Sequence, residues 1–167
     1  MEQPNWWILF VSAFIPVIIG FFWYHPSILG RSWAEEAGLS QEDSTSGSRI
    51  KRIGLLYLFS LLGSFTFSSL VVHQSGVVQL FLMDPDMADP GSAVGQYVND
   101  FMANYGDRHR SFGHGFIHGI EGGLFVGLMM IASLAIFERK SWKYITINLG
   151  YWIVSLSLMG GLMCAYF

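Results

Sequence analysis

Three ionisable side chains share one face of a long apolar segment, residues 112–137. His114, His118 and Glu121 occur at i, i+4 and i+7, and this spacing places them on one side of an α-helix. Two imidazoles four residues apart can chelate a metal ion, and imidazole together with carboxylate suits zinc or iron. Glu121 could be the third metal ligand or a proton acceptor. His73, from an earlier apolar segment, is the candidate partner for this stripe.

Three interpretations of the polar stripe stay open. In the first, its side chains hydrogen-bond to one another or to Ser and Asn residues of neighbouring helices, and their role is structural. In the second, they form a proton relay or a substrate site, since ionisable residues at membrane depth are functional candidates by default. In the third, they bind a metal ion or haem. A carboxylate in hydrocarbon is costly, so we expect the stripe to face protein or a water-filled cavity.

Glycine recurs at every fourth residue of the same segment. These residues form one nearly straight seam along a helix, and small residues let helices approach closely. We expect the seam to pack within one chain rather than between subunits, because four short helices must first close on themselves. The seam consists of Gly115, Gly119, Gly123 and Gly127.

The composition is that of a membrane protein. Of the 167 residues, 52% are apolar and 13% are charged, and the mean hydropathy is +0.43. Soluble domains have about 25% charged residues. We therefore predict a single transmembrane domain, residues 1–167. The net charge of −3 is small and gives no sign of nucleic-acid binding, and Cys164 has no second cysteine with which to form an intramolecular disulfide.

Apolar runs divide the chain into four predicted spans, since about 20 apolar residues cross a bilayer. The second span either ends near Val72 or continues as one long helix, and Pro16 should kink the first. After an N-cap at Ser92, apolar residues at helical spacing predict an amphipathic helix on the membrane surface. The fold class is thus an all-α integral membrane four-helix bundle with an external amphipathic helix. The spans are residues 6–24, 53–72, 112–137 and 145–167, and the amphipathic segment is 93–106.

Charge placement predicts the orientation. Basic residues concentrate in the first and third connections, whereas the second connection, residues 84–110, carries five aspartates against two arginines. The positive-inside rule puts basic connections in the cytoplasm. Both termini and the acidic connection are therefore predicted to be external, in a multi-pass protein of the bacterial inner membrane. The basic residues are Arg31, Arg49, Lys51, Arg52, Arg139, Lys140 and Lys143.

Motifs at both ends of the chain resemble one family. The segment WYHPSILGRSW, Trp23 to Trp33, resembles the W-Y-x-P-x-x-x-G-x-x-W signature of an uncharacterised bacterial membrane family, domain of unknown function 1761. The glycine-rich third segment and the motif N-x-G-Y-W, Asn148 to Trp152, are similar to the same family. The resemblance covers most of the chain and implies a four-helix membrane protein with no established activity. The acidic connection is longer than the corresponding loop of that family.

The chain contains no Walker loop, CxxC pair, nucleophile elbow or HExxH motif. The leading interpretation is a non-enzymatic membrane protein, an oligomeric or accessory subunit with a polar cavity near His114, His118 and Glu121. One alternative is a small proton-coupled transporter or channel, and another is a metal- or haem-binding redox protein. The expected partners are the lipid bilayer and either a second copy of the chain or another membrane protein.

Overall fold

In the computed structural model, residues 4–39 and 49–167 are described, and all regular structure in those two ranges is helical. The predicted all-α class is confirmed. Residues 40–48, which belong to the first connection, lie outside the described residues. The α-helices are α1 (Trp7–Ser12), α2 (Phe14–Trp23), α3 (Arg31–Ala37), α4 (Arg49–Val71), α5 (Gln74–Phe81), α6 (Ala93–Tyr105), α7 (Phe112–Glu121), α8 (Leu128–Phe137) and α9 (Trp142–Tyr166).

Helix α9 is the centre of the structure. It packs against α1, α2, α4, α7 and α8. Half of its apolar stretch is buried within the protein, against 11% for Phe112–Phe137. The last apolar segment, and not the histidine-bearing third one, is therefore the helix around which the others assemble. The Ser141 hydroxyl caps its first turn by accepting a hydrogen bond from the Tyr144 N–H at 3.1 Å.

The first apolar segment is interrupted as its proline predicts. Regular hydrogen bonding breaks at Ala13, between α1 and α2. Pro16 has no N–H to donate to the carbonyl of Ser12, four residues earlier, so one helical hydrogen bond is missing there. The chain then bends by 53° between the first apolar segment and the π-helical turn Pro26–Gly30 that leads into α3.

The second apolar segment consists of two helices. Helix α4 ends at Val71, and α5 begins at Gln74 after a two-residue break that contains His73. One long helix, the open alternative, is therefore not formed. The following polar stretch leads into α6, where the Ser92 side chain accepts a hydrogen bond from the Gly95 N–H at 2.9 Å. The predicted N-cap at Ser92 is confirmed.

The third segment runs through α7, a π-helical section at Gly122–Gly127, and α8. A π-helix bonds residue i to i+5 and so contains more residues per turn than an α-helix. Side chains before and after this section consequently lose the regular i, i+4 register.

An apolar core lies between α1, α4 and α9. Within the described ranges, three helical segments are long and apolar enough to cross a membrane, or four if the bent α1–α3 region is one span. The three are Ile50–Val71, Phe112–Phe137 and Trp142–Tyr166. The core side chains are Leu9, Phe67, Val71, Val72, Met159, Met163 and Cys164.

Candidate metal centre

Three histidine ring nitrogens converge on one point. The Nε2 atom of His73 lies 3.0 Å from Nε2 of His114 and 3.1 Å from Nε2 of His118. The third distance, between His114 and His118, is also 3.0 Å. We call these three residues the histidine triangle. Their rings stand nearly perpendicular to one another, at 75° to 88°, so the three nitrogens meet without stacking of the rings.

Two separate elements supply the histidine triangle. His73 occupies the break between α4 and α5. His114 and His118 are one turn apart on α7, whose N-terminus is capped by the hydroxyl of Ser111. The break turns the chain from α4 to α5 at the level of the first turns of α7. His73 thereby contacts His114 and His118, which lie 41 and 45 positions further along the chain.

Hydrogen bonds alone cannot satisfy three nitrogens in this arrangement. Each Nε2 has a single in-plane site, which holds either a proton or a lone pair. Of three mutually adjacent Nε2 atoms, two must therefore be of the same kind, and those two cannot hydrogen-bond to each other, because a hydrogen bond needs one donor and one acceptor. A cation at the centre removes this conflict, because it accepts all three lone pairs at once.

Glu121 determines which nitrogen of His118 has the lone pair. Its carboxylate Oε2 lies 3.0 Å from His118 Nδ1. A carboxylate accepts a hydrogen bond, so the proton belongs on Nδ1, and the lone pair of neutral His118 belongs on Nε2, within the histidine triangle. A carboxylate on the second nitrogen of a ligating histidine is a recurrent feature of metal sites, where it orients the ring and raises its basicity.

The nitrogen separations match metal coordination. At a Zn–N distance of about 2.0–2.1 Å, tetrahedral geometry separates two nitrogens by about 3.4 Å, and right-angle geometry by about 2.9 Å. The observed separations of 3.0 to 3.1 Å lie between these values. The three side chains therefore form a preformed site that needs little movement to bind an ion.

Helix α7 is held against α9 along its glycines. A Cβ atom added to Gly115 would overlap the carbonyl oxygen of Gly160, and one added to Gly119 would overlap the carbonyl oxygen of Leu156. At Gly123 the added atom would lie 2.7 Å from the Cα of Ile153. This close approach positions the helix that carries His114 and His118.

A turn at residues 106–110 borders the histidine triangle. The His109 ring stacks on the His114 ring, with centroids 5.0 Å apart and planes at 24°. His109 has a φ of +63°, in the left-handed region that non-glycine residues rarely adopt. The buried Gln74 amide donates to the carbonyls of Tyr105 at 2.9 Å and Arg108 at 2.7 Å. These contacts hold the turn beside the break that contains His73.

A family model described as "Protein of unknown function (DUF1761)" matches residues 7–164. The chain belongs to this family. The resemblance carried by the Trp23–Trp33 and Asn148–Trp152 motifs is thereby confirmed, and the family description assigns no activity. No curated protein and no solved structure matches the chain.

The two family motifs meet each other at the opposite half of α9 from the histidine triangle. The Trp23 indole N–H donates to the carbonyl of Ile147 at 3.0 Å, and the Tyr24 hydroxyl lies 2.9 Å from the Asn148 side-chain oxygen. The Trp23 ring also packs on Gly150, where an added Cβ would approach it to 2.8 Å. The motif residues thus join α2 to α9, and their role in the structure is helix packing.

Of the four site residues predicted from the sequence, the structure brings three together at one point and places the fourth beside them. His73, His114 and His118 form the histidine triangle, whereas the half-exposed Glu121 side chain lies beside it and meets the outer nitrogen of His118. Sequence reasoning did not identify Gln74 as a residue that positions the neighbouring turn. The sequence pattern could have identified Gln74, since this residue follows His73 directly in an otherwise apolar run.

Proposed function

We propose that this family member is a multi-pass membrane protein that binds one first-row transition metal ion, Zn²⁺ in the first instance, through His73, His114 and His118. The observation that carries the proposal is the convergence of three Nε2 atoms within 3.0 to 3.1 Å of one another. Three protein ligands leave a fourth position of a tetrahedral zinc site open to water or another small ligand.

The ligand chemistry favours zinc or copper over iron. With Glu121 engaged on His118 Nδ1, the donor set is three imidazoles, which suits zinc or copper, whereas non-haem iron sites typically add a carboxylate. Haem fits poorly, because two axial histidines must lie on opposite faces of the macrocycle. Nitrogens 3.0 Å apart leave no room for a macrocycle between them.

The distribution of side chains supports the membrane location. Small hydroxyl residues lie inside the described part of the protein, and large apolar residues cover the outside of its long helices. This arrangement is stable where the surrounding solvent is hydrocarbon, and serines and glycines then mediate helix contact. The buried serines are Ser12, Ser60, Ser64, Ser68, Ser155 and Ser157; the exposed apolar residues include Phe21, Phe59, Leu62, Phe125, Met129, Met130 and Ile136.

Further parts of the proposal rest on the sequence. We place the protein in the bacterial inner membrane as a four-helix bundle with α6 outside it and both termini external. The histidine triangle would then lie near the external surface, because α5, which follows His73, leads into the acidic second connection, and α7 begins directly after that connection. Within that membrane we propose a non-enzymatic accessory role, in which the protein holds its ion for a membrane partner or a second copy of the chain.

Metal titration of the purified protein tests the proposal. Isothermal titration of metal-free protein in detergent should show one Zn²⁺ per chain, and each of His73→Ala, His114→Ala and His118→Ala should weaken binding by at least about 100-fold, since each removes one of three ligands. His25→Ala is the matched control, because His25 caps the π-helical turn and lies outside the triangle. Equal zinc affinity in all four variants would refute the site.

A second candidate function has its own supporting observation. His73, His114, His118 and Glu121 form a chain in which successive groups lie about 3.0 Å apart, a geometry that could pass a proton. Proton flux into liposomes containing metal-free protein would support this alternative. Flux that is equal in wild type and Glu121→Gln would exclude Glu121 from the path.

A further inference from the structure

A cavity shares a wall with the histidine triangle. It has a volume of about 310 Å³, within the range of about 300–1,000 Å³ typical of small-molecule sites. His73 belongs to both the cavity and the triangle, and His109 joins the two through its stacking on the His114 ring. The cavity is lined by His73, Gln74, Phe101, Tyr105, Arg108 and His109.

The lining has a distinct chemical character. Phe101 and Tyr105 supply one aromatic wall from α6, in which their rings pack against each other with centroids 5.3 Å apart and planes at 45°. Arg108 supplies the one permanent charge among the lining residues, and no carboxylate is part of that lining. A guanidinium binds carboxylates through two parallel N–H donors. The Arg108 guanidinium carbon lies 5.9 Å from the centroid of the Tyr105 ring. An aromatic wall with a cation at its edge therefore fits an anion attached to a flat apolar group.

The turn that carries Arg108 is fixed before any ligand binds. Gln74 donates two hydrogen bonds to it, one to the carbonyl of Tyr105 just before the turn and one to the carbonyl of Arg108 within the turn. From α9, the Cys164 thiol donates to the carbonyl of His109 at 3.3 Å. His109 has the left-handed backbone described above, and such conformations persist where the surroundings impose them.

We infer that the metal-loaded protein binds a small aromatic carboxylate in this cavity, with one carboxylate oxygen on the open coordination position of the metal and the guanidinium of Arg108 paired with the anion. The inference rests on the proposed function, because the ion supplies half of the recognition. Ring contacts with Phe101 and Tyr105 would select a flat apolar group over a bare carboxylate.

Cobalt-substituted protein provides a direct assay, since the visible absorption of Co²⁺ changes when a ligand enters its coordination shell. Three probes separate the contributions: benzoate has ring and charge, acetate has charge only, and benzyl alcohol has ring only. We expect saturable spectral change with benzoate, at least about tenfold weaker binding of acetate, and no change with benzyl alcohol, because the site pairs charge with an aromatic wall.

Variants of two arginines complete the test. Arg108→Gln should weaken benzoate binding by at least about tenfold, because it removes a charge-assisted contact, and Arg108→Lys should recover part of the loss. Arg52→Gln is the matched control on the exposed surface of α4. Cobalt content is measured in every sample, so that a loss of benzoate binding is not confused with a loss of bound cobalt.

The outcomes separate this inference from the metal site. If cobalt binds and benzoate leaves the spectrum unchanged, the anion site is refuted and the metal centre stands. Equal benzoate affinity in wild type and Arg108→Gln likewise refutes the assigned recognition. If cobalt does not bind at all, the proposed function fails and this inference fails with it.

Discussion

Two glycines of the same seam should respond in opposite ways to alanine. A Cβ atom at Gly119 would overlap the backbone at Leu156 and Ser157 of α9, whereas one at Gly127 would meet its nearest neighbour, Leu149 Cδ1, at an ordinary 3.7 Å. Since backbone atoms cannot rotate away, Gly119→Ala must push α7 from α9. To restore a normal contact of about 3.5 Å, the two helices would separate by about 1 Å.

The magnitude follows from two terms. Replacing a helical glycine by alanine stabilises by about 1 kcal/mol in either position. Overpacking a tight contact costs about 1–3 kcal/mol, and this cost applies at Gly119 alone. We expect Gly127→Ala to be neutral or stabilising, and Gly119→Ala to be about 1–3 kcal/mol less stable than Gly127→Ala. Comparing the two variants cancels the change in helix propensity.

Reversible unfolding in mixed detergent measures this difference, and zinc affinity provides a second readout. Helix α7 carries His114 and His118, so a shift of α7 should also misplace two of the three proposed metal ligands in Gly119→Ala. Zinc affinity in Gly127→Ala should stay at the wild-type value. If the two variants unfold at the same denaturant midpoint and bind zinc equally, α7 is not held by this contact, and the argument from close approach is wrong.

Three further predictions concern other residues. Glu121→Gln should keep the fold and weaken zinc binding by about 10–100-fold, as expected when an orienting carboxylate is lost; an unchanged affinity in titration would contradict that role. The hydrogen bond from Ser141 and the nearby Lys143 charge lower the pKa of Glu36 below its ordinary value. This contact therefore stabilises the protein above the ordinary pKa of glutamate, and its stabilisation is lost as pH falls through the lowered pKa. Glu36→Gln should therefore flatten the acid side of a plot of melting temperature against pH. Parallel curves for wild type and Glu36→Gln would exclude the contact. Cysteine at Asp86 should react with an impermeant reagent on intact cells and cysteine at Arg139 should not; the reverse pattern would invert the proposed orientation.

Local sequence patterns predicted most of the helices and the N-cap at Ser92. Apolar runs, the N-cap at Ser92 and the disturbance near Pro16 depend on neighbouring residues, so they could be predicted without tertiary information. The approach of His73 to the stripe was expected from its position near the same end of a neighbouring span, and the structure places it 3.0 Å from His114. The break after Val71 was left open, because glutamine and histidine in an apolar run are compatible with both a bend and a continuous helix.

The glycine seam shows where periodicity stops being informative. Four glycines at equal spacing look alike in sequence, but the π-helical section Gly122–Gly127 changes the register. Gly119 therefore contacts the backbone of α9, while Gly127 has only an ordinary contact. The choice between α- and π-helical hydrogen bonding depends on packing against neighbouring helices, which a single-helix pattern does not contain.

The sequence by itself determined the family, the all-helical class and the shared face of His114, His118 and Glu121, because these depend on composition, motif and spacing along one helix. Only the tertiary structure decided which side chains meet at each ring nitrogen of His118. Spacing cannot tell which nitrogen of His118 lies beside His114 and which beside Glu121, since both residues lie one turn from His118. The fold resolves this by bringing His73 from 45 residues away to His118 Nε2, while Glu121 takes Nδ1. Convergence of ring nitrogens depends on the close packing of helices that are distant in the chain, and that packing exists only in the folded protein.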